Sequence, residues 1–279
     1  MFTKHKIIYI EMKMMNEKTE SKITFSYLRR FNLIMGFLHL IQASIMLLMS
    51  YTIPQIRDFE LPITTSYLYY DDMLERLLPN YTQLTTVPIG PLVAMFLLLS
   101  AIAHLLIVLP KVNDFYNKKL SQGINYFRWF EYGLSSSLMI VLIAWFFGVY
   151  DLSTLILIFC INATMNLLGL MMELHNQTTE KTKWTAFYIG TFAGLIPWII
   201  ILLYLFGNGN ITEIPWFVWA IFGSYVIFFN TFPINMILQY KKVGKWKDYL
   251  HGERGYILLS LWSKTLLAWL VFAGVLQPA

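Results

Sequence analysis

The chain has 279 residues, 57% of them hydrophobic and only 13% charged, against roughly 25% charged in an average soluble domain. That composition cannot clothe a large helical protein in a water-facing surface, which excludes the soluble all-helical class. The net charge of +5 would suit an acidic partner such as nucleic acid. However, 17 of the 21 Lys and Arg residues fall on alternate connections between apolar runs, which is a pattern of membrane orientation.

Residues 1–30 form a mixed, charged N-terminal segment with seven Lys and Arg residues, and Met12, Met14 and Met15 offer later start sites. No apolar core follows the basic residues closely, so the segment is no cleavable secretory signal. Seven apolar runs come next, near 31–50, 88–110, 126–148, 153–173, 185–206, 215–239 and 255–276. Each is long enough to cross a hydrocarbon core, which takes about 20 helical residues. The predicted fold is therefore an all-α integral membrane protein, a seven-transmembrane-helix bundle over 31–277. The connection 51–87 is unusually long and rich in Tyr, Pro and Thr, with strand propensity over Thr65 to Tyr70. Three Lys residues lie in 111–124, two in 174–184, and five Lys and Arg residues in 241–254. The other connections contain only Arg57 and Arg76, beside Asp58, Glu60, Asp71, Asp72, Glu75, Asp151 and Glu213. Lys and Arg are retained on the cytoplasmic side, which predicts a cytoplasmic N-terminus, an extracellular C-terminus and basic loops against anionic lipid headgroups.

Ionisable residues inside spans are costly and default to functional hypotheses. Lys264 lies near the middle of the last span, too deep for its stem to reach water. Glu131, early in the third span, is its expected partner. Arg128 stands one turn before Glu131 and Ser135 one turn after it, while Ser260 precedes Lys264 by one turn. A helix-locking ion pair with serines serving close packing is the competing reading, and it extends to Ser136 and Ser137. His39 and His104 reach similar depth in the first and second spans, with Gln42 and Ser100 one turn away. Such a pair could hold or relay a proton, or be structural. The remaining histidines, His5, His175 and His251, lie outside the spans. No pair has ligand spacing on one helix, so no metal site is expected. Cys160, the single cysteine, reads as a packing residue. A buried lysine facing one carboxylate also suits covalent chemistry. Its neutral amine condenses with an aldehyde, and the carboxylate stabilises the protonated imine.

The run Arg128 to Ala144 (RWFEYGLSSSLMIVLIA) resembles the third helix of heliorhodopsins. So do Leu28 to Gln42 (LRRFNLIMGFLHLIQ), Asn162 to Gln177 (NATMNLLGLMMELHNQ) and Tyr256 to Gly274 (YILLSLWSKTLLAWLVFAG). The resemblance extends through most of 28–276, and the N-inside topology matches that family's arrangement. It implies a light sensor that binds all-trans retinal on Lys264 as a protonated Schiff base, with Glu131 as counterion and Ser260 and Ser135 beside them. Asn162, Met165, Phe229, Tyr132 and Trp198 are implied to line the chromophore channel. His39 and His104, with Arg128, Gln42 and Ser100 around them, are implied to take up the released proton. The family is generally dimeric, with the first outer loop forming a hairpin at the interface, which 51–87 fits.

Light-driven pumps place carboxylates four residues before the lysine and eleven after the counterion. Here those positions are Ser260 and Leu142, so the resemblance predicts a slow photocycle without net transport and no enzymatic activity. A passive light-gated conductor is the alternative. Its candidate carboxylates, Glu173 and Asp151, read more simply as solvated residues at helix ends. A third possibility is regulation of a soluble cytoplasmic partner through the basic loop 241–254.

Overall fold

The computed structural model describes residues 23–207 and 214–276. Met12, Met14, Met15, His5 and Glu213 lie outside the described residues. In chain order the elements are α1 (Phe25–Thr52), α2 (Pro54–Arg57), β1 (Glu60–Asp71), β2 (Arg76–Pro88), α3 (Ile89–Val108), α4 (Pro110–Leu120), α5 (Tyr126–Phe146), α6 (Leu152–His175), α7 (Thr185–Gly207), α8 (Trp216–Tyr240), a 3₁₀ turn (Gly244–Lys247) and α9 (Tyr249–Val275). Seven of these helices, α1, α3 and α5 to α9, are long and apolar enough to cross a membrane. Their outward faces carry large apolar side chains such as Ile34, Leu48, Phe130, Leu157, Phe192 and Trp262, the surface that lipid requires. Cys160 lies on that outer face, not among packed residues.

Local chemistry sets where the helices begin. The side chains of Thr24, Asn125, Asp151 and Asp248 each accept a hydrogen bond from a backbone N–H in the first turn of α1, α5, α6 and α9. Two of these caps lie well outside the apolar runs, so α1 and α9 extend into polar flanks that hydropathy assigns to loops. The 111–124 connection likewise contains a helix, α4, which presents Asn113, Tyr116 and Leu120 inward at helical spacing. Neighbouring spans pack as α1 with α3, α3 with α5, α5 with α6, α6 with α7, and α8 with α9, and α9 closes back onto α1 and α3. Between α7 and α8 aromatic rings fill the contact. Trp198 meets Phe222, Tyr225 and Phe229 at centroid distances of 5.8, 5.1 and 5.4 Å.

The long connection is an antiparallel hairpin, β1 against β2, with a bulge between Ile63 and Thr64. Its tip turns on Asp71, whose carboxylate accepts the Met73 and Leu74 amides at 3.0 and 2.9 Å. Its base is fastened to the bundle where Trp145 Nε1 donates to Pro62 O (2.8 Å) and the Thr64 amide donates to Tyr150 O (2.9 Å). The bundle thus has a hairpin end and a basic end.

Candidate functional site

Lys264 sits on the inward face of α9 with Ser260 and Ser263, and it is 2% exposed. Its Nζ donates to Glu131 Oε1 at 2.8 Å and to Ser260 Oγ at 2.9 Å. Glu131 comes from α5, and the same Oε1 also accepts from Ser100 Oγ of α3 at 2.6 Å. Three spans therefore meet on one carboxylate oxygen. The ring of Tyr132 lies 5.1 Å from the ammonium, and its hydroxyl is held by Tyr256 O. Ser135 is buried one turn along from Glu131, close enough to act on its charge, but its Oγ finds no hydrogen-bond partner of good geometry.

His39 and His104 face each other across α1 and α3, stacked with ring centroids 5.6 Å apart and planes within 6°. His104 Nδ1 is 2.7 Å from Asn32 Oδ1. Among the described residues, both ring nitrogens of His39, and Oε1 of Gln42, lack hydrogen-bond partners. Ser100, expected beside the histidines, is committed to Glu131 instead.

Arg128 departs from expectation further. It joins neither histidine. One turn nearer the basic end, its guanidinium pairs with Glu173 of α6 through Nη2 and with Glu253 of α9 through Nη1. Trp129 Nε1 and the Asn125 amide donate to Glu173 Oε2 at 2.6 and 3.0 Å, and the Tyr249 hydroxyl donates to Oε1 at 3.0 Å. Asn125 Nδ2 and the Tyr116 hydroxyl donate to Glu253 Oε1 at 2.7 and 3.1 Å. The Tyr256 ring lies 4.0 Å from the guanidinium carbon. Tyr116 belongs to α4, outside the spans, and burial pushes its phenol well above the ordinary pKa, so it remains protonated. The reading of Glu173 as a solvated helix-end residue is wrong: Glu173 is 1% and Glu253 2% exposed. Asp151 is the N-cap of α6. Glu253 falls by sequence within the basic loop 241–254, but the last residues of that stretch are the first turns of α9.

A cavity of about 180 Å³ opens from Lys264 between α5, α6, α7, α8 and α9. Tyr132, Met165 and Phe229 line it, as do Ser136, read from the sequence as a packing residue, and Trp129, Tyr225 and Phe232, which the sequence does not single out. Trp198 stands behind Tyr225 and Phe229. Asn162 stands behind Ser136, donating to it at 2.9 Å and to Ser137 at 3.0 Å. Asn166 Nδ2 also donates to Ser136, at 3.0 Å. These serines are thus engaged by hydrogen bonds and do more than permit close packing.

A family model described as heliorhodopsin matches residues 28–276. The chain belongs to the heliorhodopsin family. No curated protein matches it. Heliorhodopsins are retinal-binding photoreceptors, so membership supports a light-sensing role and a retinal chromophore. The residues of this heliorhodopsin fit such a group. The cavity wall is aromatic and apolar, an amine stands at its edge, and the polar atoms it exposes are confined to a few side chains.

Proposed function

We propose that this heliorhodopsin carries all-trans retinal on Lys264 as a protonated Schiff base, with Glu131 as counterion, and signals light through a slow photocycle without net ion transport. The observation that carries this reading is the buried Lys264 amine, 2.8 Å from Glu131, at the wall of the aromatic cavity. Retinal, when bound, supplies visible absorption and a light-driven change of shape. The chain's own residues do the rest. Glu131 balances positive charge at Nζ, while Ser100 and Ser260 fix the relative position of carboxylate and amine. Tyr132, Met165 and Phe229 wall the cavity, and Trp198 and Asn162 brace that wall from behind. The His39–His104 stack, with both His39 ring nitrogens unpartnered among the described residues, Gln42 nearby and Ser135 on the facing helix, is where a proton leaving the lysine nitrogen is held.

Net pumping needs proton-carrying groups on both sides of the lysine. The two positions that would supply them hold Ser260 and the buried, apolar Leu142. Toward the basic end, Arg128 and its two glutamates close the bundle. The Lys and Arg excess of the basic end supports a cytoplasmic orientation for it, and the exposed aromatic strand Tyr67 to Tyr70 is the proposed homodimer contact.

The test is the visible spectrum of the chain supplied with all-trans retinal, wild type beside Lys264→Ala. The expected result is a visible band in wild type, bleached by hydroxylamine and absent from the variant. A wild type that stays colourless would reduce Lys264–Glu131 to a structural ion pair. Photocurrents under voltage clamp decide against a passive conductor if none flow, and for it if they do.

A further inference from the structure

The buried charges around Arg128 do not balance. One guanidinium faces two carboxylates, Glu173 and Glu253, and all three residues are at most 5% exposed. Lys264 cannot supply the missing positive charge, because Glu131 already neutralises it. Arg254, the nearest basic residue in sequence, turns to the Tyr27 hydroxyl. With both glutamates ionised, the cluster would bury an uncompensated negative charge, an arrangement proteins avoid by taking up a proton.

The hydrogen bonds distinguish the two carboxylates. Glu173 accepts from four donors, Arg128 Nη2, Tyr249 Oη, the Asn125 amide and Trp129 Nε1. Three of those four can only donate, which is the environment of an ionised carboxylate. Glu253 accepts from Arg128 Nη1, Asn125 Nδ2 and Tyr116 Oη. The Tyr116 hydroxyl is reversible, since it can accept from a carboxylic acid as readily as it donates to a carboxylate.

We propose that Glu253 is a proton-holding residue, a neutral carboxylic acid in the resting protein whose proton points from Oε1 to Tyr116, while Glu173 alone neutralises Arg128. The groups that face it are Arg128 from α5, Glu173 from α6, Tyr116 from α4, and Tyr249 and Tyr256 from its own helix. Glu253 also shares a small cavity of about 20 Å³ with Asn32, His104, Arg128, Glu131 and Tyr132, room for about one water. On one side of it Tyr116 is bonded to Glu253, and on the other Asn32 is bonded to His104. The proton on Glu253 thus shares one small cavity with the counterion Glu131 and with His104. Its presence does not depend on the retinal reading, although its use in a light cycle does.

The experiment is infrared absorption of the whole, retinal-free protein in lipid bilayers at neutral pH, in the carbonyl region of protonated carboxylic acids. Wild type is expected to show a buried carboxylic-acid band that Glu253→Gln abolishes. Glu253→Asp retains the acid and serves if the glutamine variant fails to fold; it is expected to move the band. A wild type without the band, a band that survives Glu253→Gln, or one unmoved in Glu253→Asp would overturn the proposal. Because no chromophore is involved, a colourless protein leaves this result intact.

Discussion

Two buried ionic sites lie one helical turn apart in this bundle, and they are built on opposite principles. Around Arg128, five donors besides the guanidinium converge on two carboxylates, drawn from α4, the start of α5, and α9. Around Lys264 the bonds are few, and several buried polar atoms have no partner, among them both nitrogens of His39, Oγ of Ser135 and Oδ1 of Asn162. Buried polar groups left unsatisfied cost stability, so a protein keeps them where something other than stability is selected. The nearly saturated cluster, which leaves Arg128 Nε and the Tyr256 hydroxyl unbonded among the described residues, fastens three spans at the basic end. The sparse one leaves room for charge to move.

The contrast is most sharply broken at Arg128. Arg128→Ala leaves Glu173 and Glu253 buried without their cation, and removing one partner of a buried pair costs about 3–5 kcal/mol. Thermal unfolding in detergent or nanodiscs should show that loss as a markedly lower midpoint. Lys264→Ala should lose less, because Ser100 still donates to the remaining carboxylate. If the two variants melt alike, the division into a fastening site and a working site fails.

Glu131→Gln addresses the sparse site through colour. A carboxylate beside Nζ favours the state in which positive charge sits on that nitrogen, so its removal narrows the gap to a state with the charge displaced. Two unit charges about 4 Å apart at an effective dielectric of about 20 interact by about 4 kcal/mol. The absorption maximum of the pigment should therefore shift to longer wavelength by about that photon energy. An unshifted spectrum would mean that another anion acts as counterion.

Much of this was legible in the sequence, and the remainder was hidden for physical reasons. Seven apolar runs mark the seven spans, and an ionisable residue in mid-span, such as Lys264, admits few explanations. Glu131 stands close enough to that depth to be matched with it. Glu173 and Glu253 carry no such mark. They lie near the ends of spans, where a glutamate is normally solvated, and their partner is 45 and 125 residues away. The polar starts of α1 and α9 were hidden for the same reason. Hydropathy cannot distinguish a buried, paired Glu253 or Asn32 from a wet one. A signal for α4 was present, in the helical spacing of Asn113, Tyr116 and Leu120. The cavity wall was the least legible part, since Tyr225 and Phe232 do not differ in pattern from aromatic residues facing lipid.

Gly169 connects the two sites. A Cβ there would strike the Trp129 ring, whose Nε1 holds Glu173 and whose face lines the cavity. Gly169→Ala must push that ring, and overpacking of this kind costs about 1–3 kcal/mol. Both a lower melting midpoint and an altered spectrum are expected. A change in stability alone would show that Trp129 serves only the Arg128 cluster.

The smallest effect on stability should come from His39. Its imidazole is fully buried with neither nitrogen bonded, so His39→Phe exchanges an unsatisfied polar ring for an apolar one of similar shape. Replacing a group that makes no hydrogen bonds forfeits none, and the change in unfolding free energy should be under about 1 kcal/mol. The stacking on His104 is preserved by the new ring. What should change is the light cycle, because one of two places to hold a proton is gone, and flash spectroscopy should show altered decay of the deprotonated pigment. A variant that melts like wild type and cycles differently is the signature of a working residue. One that melts several degrees lower with an unaltered cycle would assign His39 to the packing of α1 against α3, and the sparse site would lose its distinction from the saturated one.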